Sequence, residues 1–171
     1  MTTAPTVNGQ VIGQAHYATR AVLEGLLATT GTTFHQSVAL NATADSGGSI
    51  ERHRLVDRMT STLKIDAAAV ETVLAGLIAE GLLEEEPGEV DRLAQTAAGS
   101  ALHRTHRAAL AEITARLYAD LPAEDLAAAG RVLTEVTARA NACWPRAEPV
   151  GTEAGGRSRC RCRCRCRSAD R

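Results

Sequence analysis

The stretch LKIDAAAVETVLAGLIAEGLLEEEPGEVDRLAQTAAGSAL, from Leu63 to Leu102, decides the fold. Asp66 is placed to cap a helix, since an acid there satisfies unpaired backbone amides and complements the helix dipole. Val70, Leu74, Leu77 and Ile78 follow at the three- and four-residue spacing of one helix face. Gly81 stands where a left-handed helix end is expected, and Leu82-Leu83 open a strand. Pro87-Gly88 signals a turn, after which Val90 to Gln95 returns as a second strand. Thr96 then caps a long helix. The stretch therefore predicts a helix, a hairpin and a second helix in that order.

Upstream, Val11, Ala15, Thr19, Val22 and Leu26 predict one face of a first helix from about Val7 to Ala28. Thr29 to Thr33, around Gly31, break it, and Phe34, Val38 and Ala42 suggest a short second helix. After Gly47-Gly48, Ser49 reads as the N-cap of a third helix carrying Ile50, Leu55 and Met59 and running to Leu63 and Ile65. Downstream, the helix from Thr96 reaches about Asp120, with Leu102, Ala109, Ile113 and Leu117 on one side. Pro122 suits the first turn of a sixth helix, in which Leu126, Val132, Leu133, Val136 and Ala140 are spaced for packing as far as about Cys143. Beyond Trp144-Pro145 the chain turns rich in Pro, Gly and Arg, a composition expected to be disordered.

Composition agrees with a mainly α chain. Of 171 residues, 32 are Ala, the strongest helix former, and four are aromatic (Tyr17, Phe34, Tyr118, Trp144). So few rings also speak against a base-stacking platform for single strands. The formal charge of −1 hides two opposed parts. Residues 1–150 hold 12 basic and 18 acidic groups, a net of −6, whereas residues 151–171 hold 7 Arg and 2 acids, a net of +5. The start MTTAPTVNGQ lacks a basic region followed by an apolar run, and no apolar stretch is long enough to span a membrane. One Cys in the body and four in the tail are no disulfide framework, so a reducing cytoplasm is the expected compartment.

Helices, a hairpin and further helices in this order make a winged helix-turn-helix flanked by long helices. The stretch Leu63–Leu102 resembles the MarR family of bacterial transcriptional regulators, whose reading helix ends in Gly-Leu and leads into a wing. Thr96-Ala97-Ala98-Gly99 is similar to that family's Thr-x-x-Gly after the wing, and LPAEDLAAAGRVL (Leu121–Leu133) to the start of its last helix. The resemblance covers most of residues 7–143. It implies a domain over residues 1–146, with a winged core at about 33–96 and dimerisation helices at about 7–28 and 97–143, followed by an Arg/Cys-rich tail at 147–171. It further implies a homodimeric, sequence-specific DNA-binding repressor on a palindromic operator with half-sites about 10 base pairs apart, released by a small-molecule effector.

Carried onto this chain, the resemblance assigns base reading to Ala68, Glu71, Thr72 and Ala75, and backbone contact to Arg52, Arg54, Arg58 and Lys64. Arg92 of Asp91-Arg92 is the wing-tip residue. His16, Tyr17 and Thr19 on the first helix are candidates for lining an effector pocket, though a dimer interface needs the same residue types. Between Ala67 and Asp91 there are seven acids (Glu71, Glu80, Glu84, Glu85, Glu86, Glu89, Asp91) and no basic residue. That acidity motivates the alternative of a winged-helix module that binds a protein or small ligand and no longer DNA.

Ordinary readings stand beside these. Arg52, Arg54 and Arg58 also fit a solvated helix face, and Glu84–Glu86 a charged strand edge. His103 and His106, three apart on one helix, are spaced to share a metal, but exposed or interface histidines fit the spacing equally, and neither a metal nor a cofactor is expected. Cys143 fits as a small packing group. The repeat RCRCRCRC is what a slipped GC-rich repeat would encode. The motifs G-x-S-x-G, H-E-x-x-H, G-x-x-x-x-G-K and G-x-G-x-x-G are absent, so no enzyme is expected.

Overall fold

A computed structural model describes residues 6–89 and 91–143, which form two compact units divided between Asp120 and Leu121. The first unit begins with α1 (Gly9–Ala28), capped by the Asn8 side chain, which accepts from the amides of Gln10 and Val11. Gly31, at φ +69°, turns the chain, and Thr33 and Gln36 open α2 (Phe34–Asp45) with a reciprocal capping box. This helix is the centre of the unit: Ala39, Leu40, Ala42 and Thr43 are all buried, and the Thr43 hydroxyl donates to the Ala39 carbonyl at 3.0 Å.

Gly47 and Gly48, at φ +88° and +94°, feed a three-residue strand, β1 (Ser49–Glu51). Ser49 is therefore a strand residue and not the helix cap predicted for it; α3 (Arg52–Leu63) starts three residues later, directly from the strand. No side chain caps it. Instead the Arg52 amide donates to the Asp91 carbonyl at 2.8 Å, tying the helix start to the wing. Lys64, in the left-handed conformation at φ 58°, ends α3. Asp66 then caps α4 (Ala67–Ala79) by accepting from the Ala69 amide at 2.7 Å, and Val70, Leu74 and Leu77 point into the core.

Beyond Gly81, β2 (Leu83–Glu85) and β3 (Arg92–Gln95) form the wing, with Leu83 opposite Gln95 and Glu85 opposite Leu93. Because Ile50 also pairs with Leu93, the expected hairpin is one part of a three-stranded antiparallel sheet in the order β1-β3-β2. Ile50, Leu83 and Leu93 are the sheet residues that enter the core. Val90, expected to open the second strand, lies outside the described residues, as does the tail beyond Cys143.

Thr96 caps α5 (Ala97–Leu117) through the Gly99 amide and donates its hydroxyl proton to the Gly81 carbonyl at 2.7 Å, so one residue binds the ends of both helices. Gly99 allows this approach. A Cβ at that position would lie 2.0 Å from the Leu82 carbonyl oxygen. The helix stops short of the expected Asp120, which sits at φ 61°.

The buried side of α1 also differs from expectation. Leu27, with half-buried Leu23, packs inward, while Ala15, Thr19 and Val22 are exposed. Two apolar stripes run along this helix, and periodicity alone does not say which meets the unit's own core. On α5 the expected side is met in part: Leu102 packs against the core and Ala109 and Ile113 are half-buried, while Leu117 is exposed and Gly99 and His106 are the buried residues.

The second unit consists, among the described residues, of α6 (Ala123–Cys143), whose first turn is closed by the Asp125 and Leu126 amides on the Pro122 carbonyl. None of its residues is buried: Val132, Leu133 and Val136 are exposed, and so is Cys143, which was expected to pack. Among the described residues no helix is long and apolar enough to cross a membrane.

Candidate nucleic-acid interface

The second helix of the helix-turn-helix presents a smooth outer face. Val70, Leu74 and Leu77 take up the inner side of α4, leaving Ala68, Thr72 and Ala75 exposed and Glu71 half-exposed. The four residues expected to read bases thus share one accessible surface. The Thr72 hydroxyl donates to the Ala68 carbonyl at 2.9 Å, which leaves its oxygen as an acceptor. Glu71 is the sole ionisable residue on the helix.

The arginines expected at the backbone are all accessible in part, and each is paired with an acid. Arg52 is the most enclosed, with a side chain 25% exposed. Its guanidinium donates to Glu71 Oε2 at 2.7 Å and reaches Glu85 at 3.5 Å and Asp91 at 3.8 Å. Arg54, 70% exposed, meets Glu51 at 2.6 Å. Arg58 meets Asp45 at 2.7 Å and donates to the Ala42 carbonyl in the last turn of α2, where a cation suits the helix dipole. Arg92 bonds Glu86 at 3.1 Å and the Ser49 hydroxyl at 2.9 Å. The exposed Lys64 stands at the turn between α3 and α4. His53 lies between Glu51 and Asp91.

Ser49 also donates to Glu86. Together with Arg92, this bond holds the Glu86 carboxyl below the ordinary glutamate range. The acid partners were not identified from the sequence. The seven-acid run was the available signal for Glu71, Glu85, Glu86 and Asp91, but Glu51 and Asp45 lie outside it, and which acid meets which arginine is decided by the packing of α2, α3, α4 and the wing.

Two open clefts flank the paired arginines. One, of about 350 Å³, lies at the wing and is lined by Arg52, Arg92 and four carboxylates (Glu85, Glu86, Glu89, Asp91). The other, of about 200 Å³, is lined by Ser46, Ser49, Ile50, Glu51, Arg54 and Arg92. Its two guanidiniums are groups that bind a phosphate oxygen, whereas both hydroxyl protons are already given, Ser46 to the Ala42 carbonyl and Ser49 to Glu86, and Glu51 adds a carboxylate.

A third space lies on the far side of α2. It measures about 40 Å³ and is walled by Leu23, Leu27, Leu40 and Leu110, with Ser37, Asn41, His103, His106 and Arg107 as its polar groups. His106 is 8% exposed, and its Nε2 bonds the Thr30 hydroxyl at 2.8 Å, while His103 Nε2 bonds Asn41 at 2.9 Å. These two histidines are therefore not freely exposed: each is held by a neutral partner. Burial pushes both below the ordinary histidine range, with Arg107 adding to the shift at His103 and His103 adding to it at His106. His16, Tyr17 and Thr19 do not line this space; they lie on the exposed side of α1, with Tyr17 72% exposed. No group of three or more His, Cys, Asp or Glu residues is gathered for a metal ion among the described residues.

These elements define a winged helix-turn-helix. Solved structures give the class a narrower form. The chain is similar to the reduced form of MarR from E. coli, with 20% identity and a TM-score of 0.59 over 78% of this chain and 95% of that one. Ligand-free NadR matches at 19% identity and a TM-score of 0.63, covering 78% and 99%. A Mycobacterium tuberculosis MarR-family protein in complex with salicylic acid matches at 23% identity and a TM-score of 0.54, covering 77% and 99%. No model of a protein family and no curated protein sequence matches the chain. The fold is that of the MarR regulators, as the resemblance in the sequence implied.

Proposed function

We propose that the chain is a MarR-family transcriptional regulator that binds DNA as a homodimer, acting in the cytoplasm as a repressor on a palindromic operator. The observations that carry this reading are the second cleft, where the guanidiniums of Arg54 and Arg92 converge with Ser46, Ser49 and Glu51, and the small, unobstructed outer face of α4. A small outer face lets a helix lie deep in the major groove, and partly exposed guanidiniums are the groups that contact the phosphate backbone. Arg58 and Lys64 extend that backbone contact. The exposed apolar positions Leu117, Val132, Leu133 and Val136 supply surface for a second copy, which two-fold operator symmetry requires.

Release by a small molecule completes the proposal. NadR has been solved in complex with 4-hydroxyphenylacetate and the M. tuberculosis protein with salicylic acid. In this chain the space between α1, α2 and α5 fits an effector better than His16, Tyr17 and Thr19, because it joins apolar walls to polar groups. At about 40 Å³ it holds water-sized occupants and would open to admit anything larger.

A second reading draws on the wing, where four carboxylates surround two guanidiniums: a module that docks a basic protein segment and leaves DNA unbound. One titration separates the two. Full-length protein is titrated against the DNA upstream of its own gene and against random duplex at 50 and 200 mM salt. Preference for the upstream DNA is expected; equal binding at both salts overturns the DNA reading.

A further inference from the structure

Arg52 lies at the start of α3, where a phosphate contact would ordinarily be assigned, yet its surroundings are those of a strut. Its backbone amide is held by the Asp91 carbonyl and its guanidinium by Glu71, Glu85 and Asp91. One cation among three carboxylates leaves a local excess of negative charge, which repels phosphate. The strongest of these contacts, 2.7 Å from Nη1 to Glu71 Oε2, fixes the one charged side chain of α4. Arg52 thereby joins the wing to the reading helix and offsets part of the charge of the one carboxylate on that helix.

Glu71 bonds Arg52 through Oε2, and the second oxygen, Oε1, is left to accept from another donor. The neighbours on the same face, Ala68 and Ala75, offer methyl groups alone, and Thr72 has committed its proton within the helix. Direct hydrogen-bond readout on α4 therefore falls to groups that accept and do not donate, the Glu71 carboxylate and the Thr72 hydroxyl oxygen, of which the charged carboxylate is the stronger. In the major groove, guanine and thymine present acceptor oxygens, which repel such a group. Adenine presents an amine beside an acceptor nitrogen, a pattern suited to an amide. Cytosine presents an amine.

We infer that Glu71, positioned by Arg52, sets the base preference of the reading helix by accepting from a cytosine amine, and that Arg52 is a positioning residue instead of a backbone contact. The inference rests on the DNA-binding reading above and adds a specific base to it.

The test is selection of binding sites from a random duplex pool by full-length wild type, Glu71→Gln and Arg52→Gln, followed by titrations at several salt concentrations. The wild type is expected to select a C·G pair at one position in each half-site, and changing that pair to T·A should weaken binding about 10-fold or more. Glu71→Gln, a mild change at a partly exposed helix position, should lose the cytosine preference and gain one for adenine. Arg52→Gln should lose the same preference while the salt dependence stays as in the wild type. Retention of the C·G pair by Glu71→Gln overturns the inference, whatever the stability of the Arg52 variant. So does an Arg52→Gln protein with unchanged base preference and a salt slope reduced by about one. Wild type that enriches no sequence overturns the DNA-binding reading as well, an outcome distinct from both.

Discussion

The two sides of α2 handle polar groups in opposite ways. On the reading side, charges are numerous and partly exposed, and they are balanced pairwise: Arg54 with Glu51, Arg58 with Asp45, Arg92 with Glu86. On the other side, His106 is buried and His103 half-buried, they are held by Thr30 and Asn41, and burial disfavours the charged form of both. Exposed pairs add little to stability because water and salt screen them, whereas an enclosed neutral group carries a desolvation cost if it gains charge. The reading side should thus answer to salt and the histidine side to pH. Substitutions that strike one side or their junction test this division.

The largest effect is expected at the junction. Gly99 lies where α5 passes the Leu82 carbonyl, and an added methyl would stand 2.0 Å from that oxygen. The obstacle is backbone in the connection from α4 to the wing, so no side-chain rotation relieves it. Gly99→Ala should cost about 3 kcal/mol or more and lower the melting temperature by about 10 °C. A variant that melts within 2 °C of wild type would show that the two sides shift independently. Gly76, whose Cβ would meet only the end of the Gln36 side chain at 3.9 Å, is the control expected to tolerate Ala.

The next effect is the pH response of the histidine side. His103 and His106 resist protonation when folded, while in the unfolded chain they titrate near the ordinary value of 6.5. Below that value the unfolded chain binds protons that the folded chain refuses. Stability is then fully present above pH 6.5 and lost as pH falls through it toward the lowered folded values. The urea midpoint should be lower at pH 5.5 than at pH 7.5, and His106→Gln should flatten the difference. Thr30→Val, which removes the partner of an enclosed ring nitrogen, should cost about 1–3 kcal/mol at pH 7.5. An unchanged pH dependence in His106→Gln would assign the response elsewhere.

The same division explains what could be read in advance. The reading helix and its cap were legible because Asp66, the stripe Val70, Leu74, Leu77 and Gly81 all agree over one stretch. Its outer face followed as the complement of that stripe. Strand β1 was not legible: three residues between a glycine pair and a helix resemble an N-cap, and only pairing with Leu93 and Arg92 makes them a strand. The ion pair of Arg92 with Glu86 spans the expected hairpin, but those of Arg52 join α3 to α4 and the wing over distances that spacing does not show, so the site was legible as residue types and not as contacts. The histidines were misread for a related reason. Periodicity places His103 and His106 on one face of α5, but which neighbours close over that face is decided by Thr30 and Asn41, more than 60 positions away.

The smallest effect on stability should accompany a clear effect on binding. Arg54 is 70% exposed, and its partner Glu51 lies three residues away, a local pair worth a fraction of a kcal/mol. Arg54→Ala should therefore leave the unfolding free energy from urea titration within about 0.5 kcal/mol of wild type. If Arg54 serves the phosphate cleft it borders, the same variant should weaken DNA binding at low salt and reduce the salt slope by about one, with base preference unchanged. Glu51→Gln should act in the opposite direction, because it frees the guanidinium and removes a carboxylate from the same cleft. Stability moving by 2 kcal/mol with binding intact would make the Arg54 pair a fold element like the histidines, and the contrast between the two sides of α2 would fail.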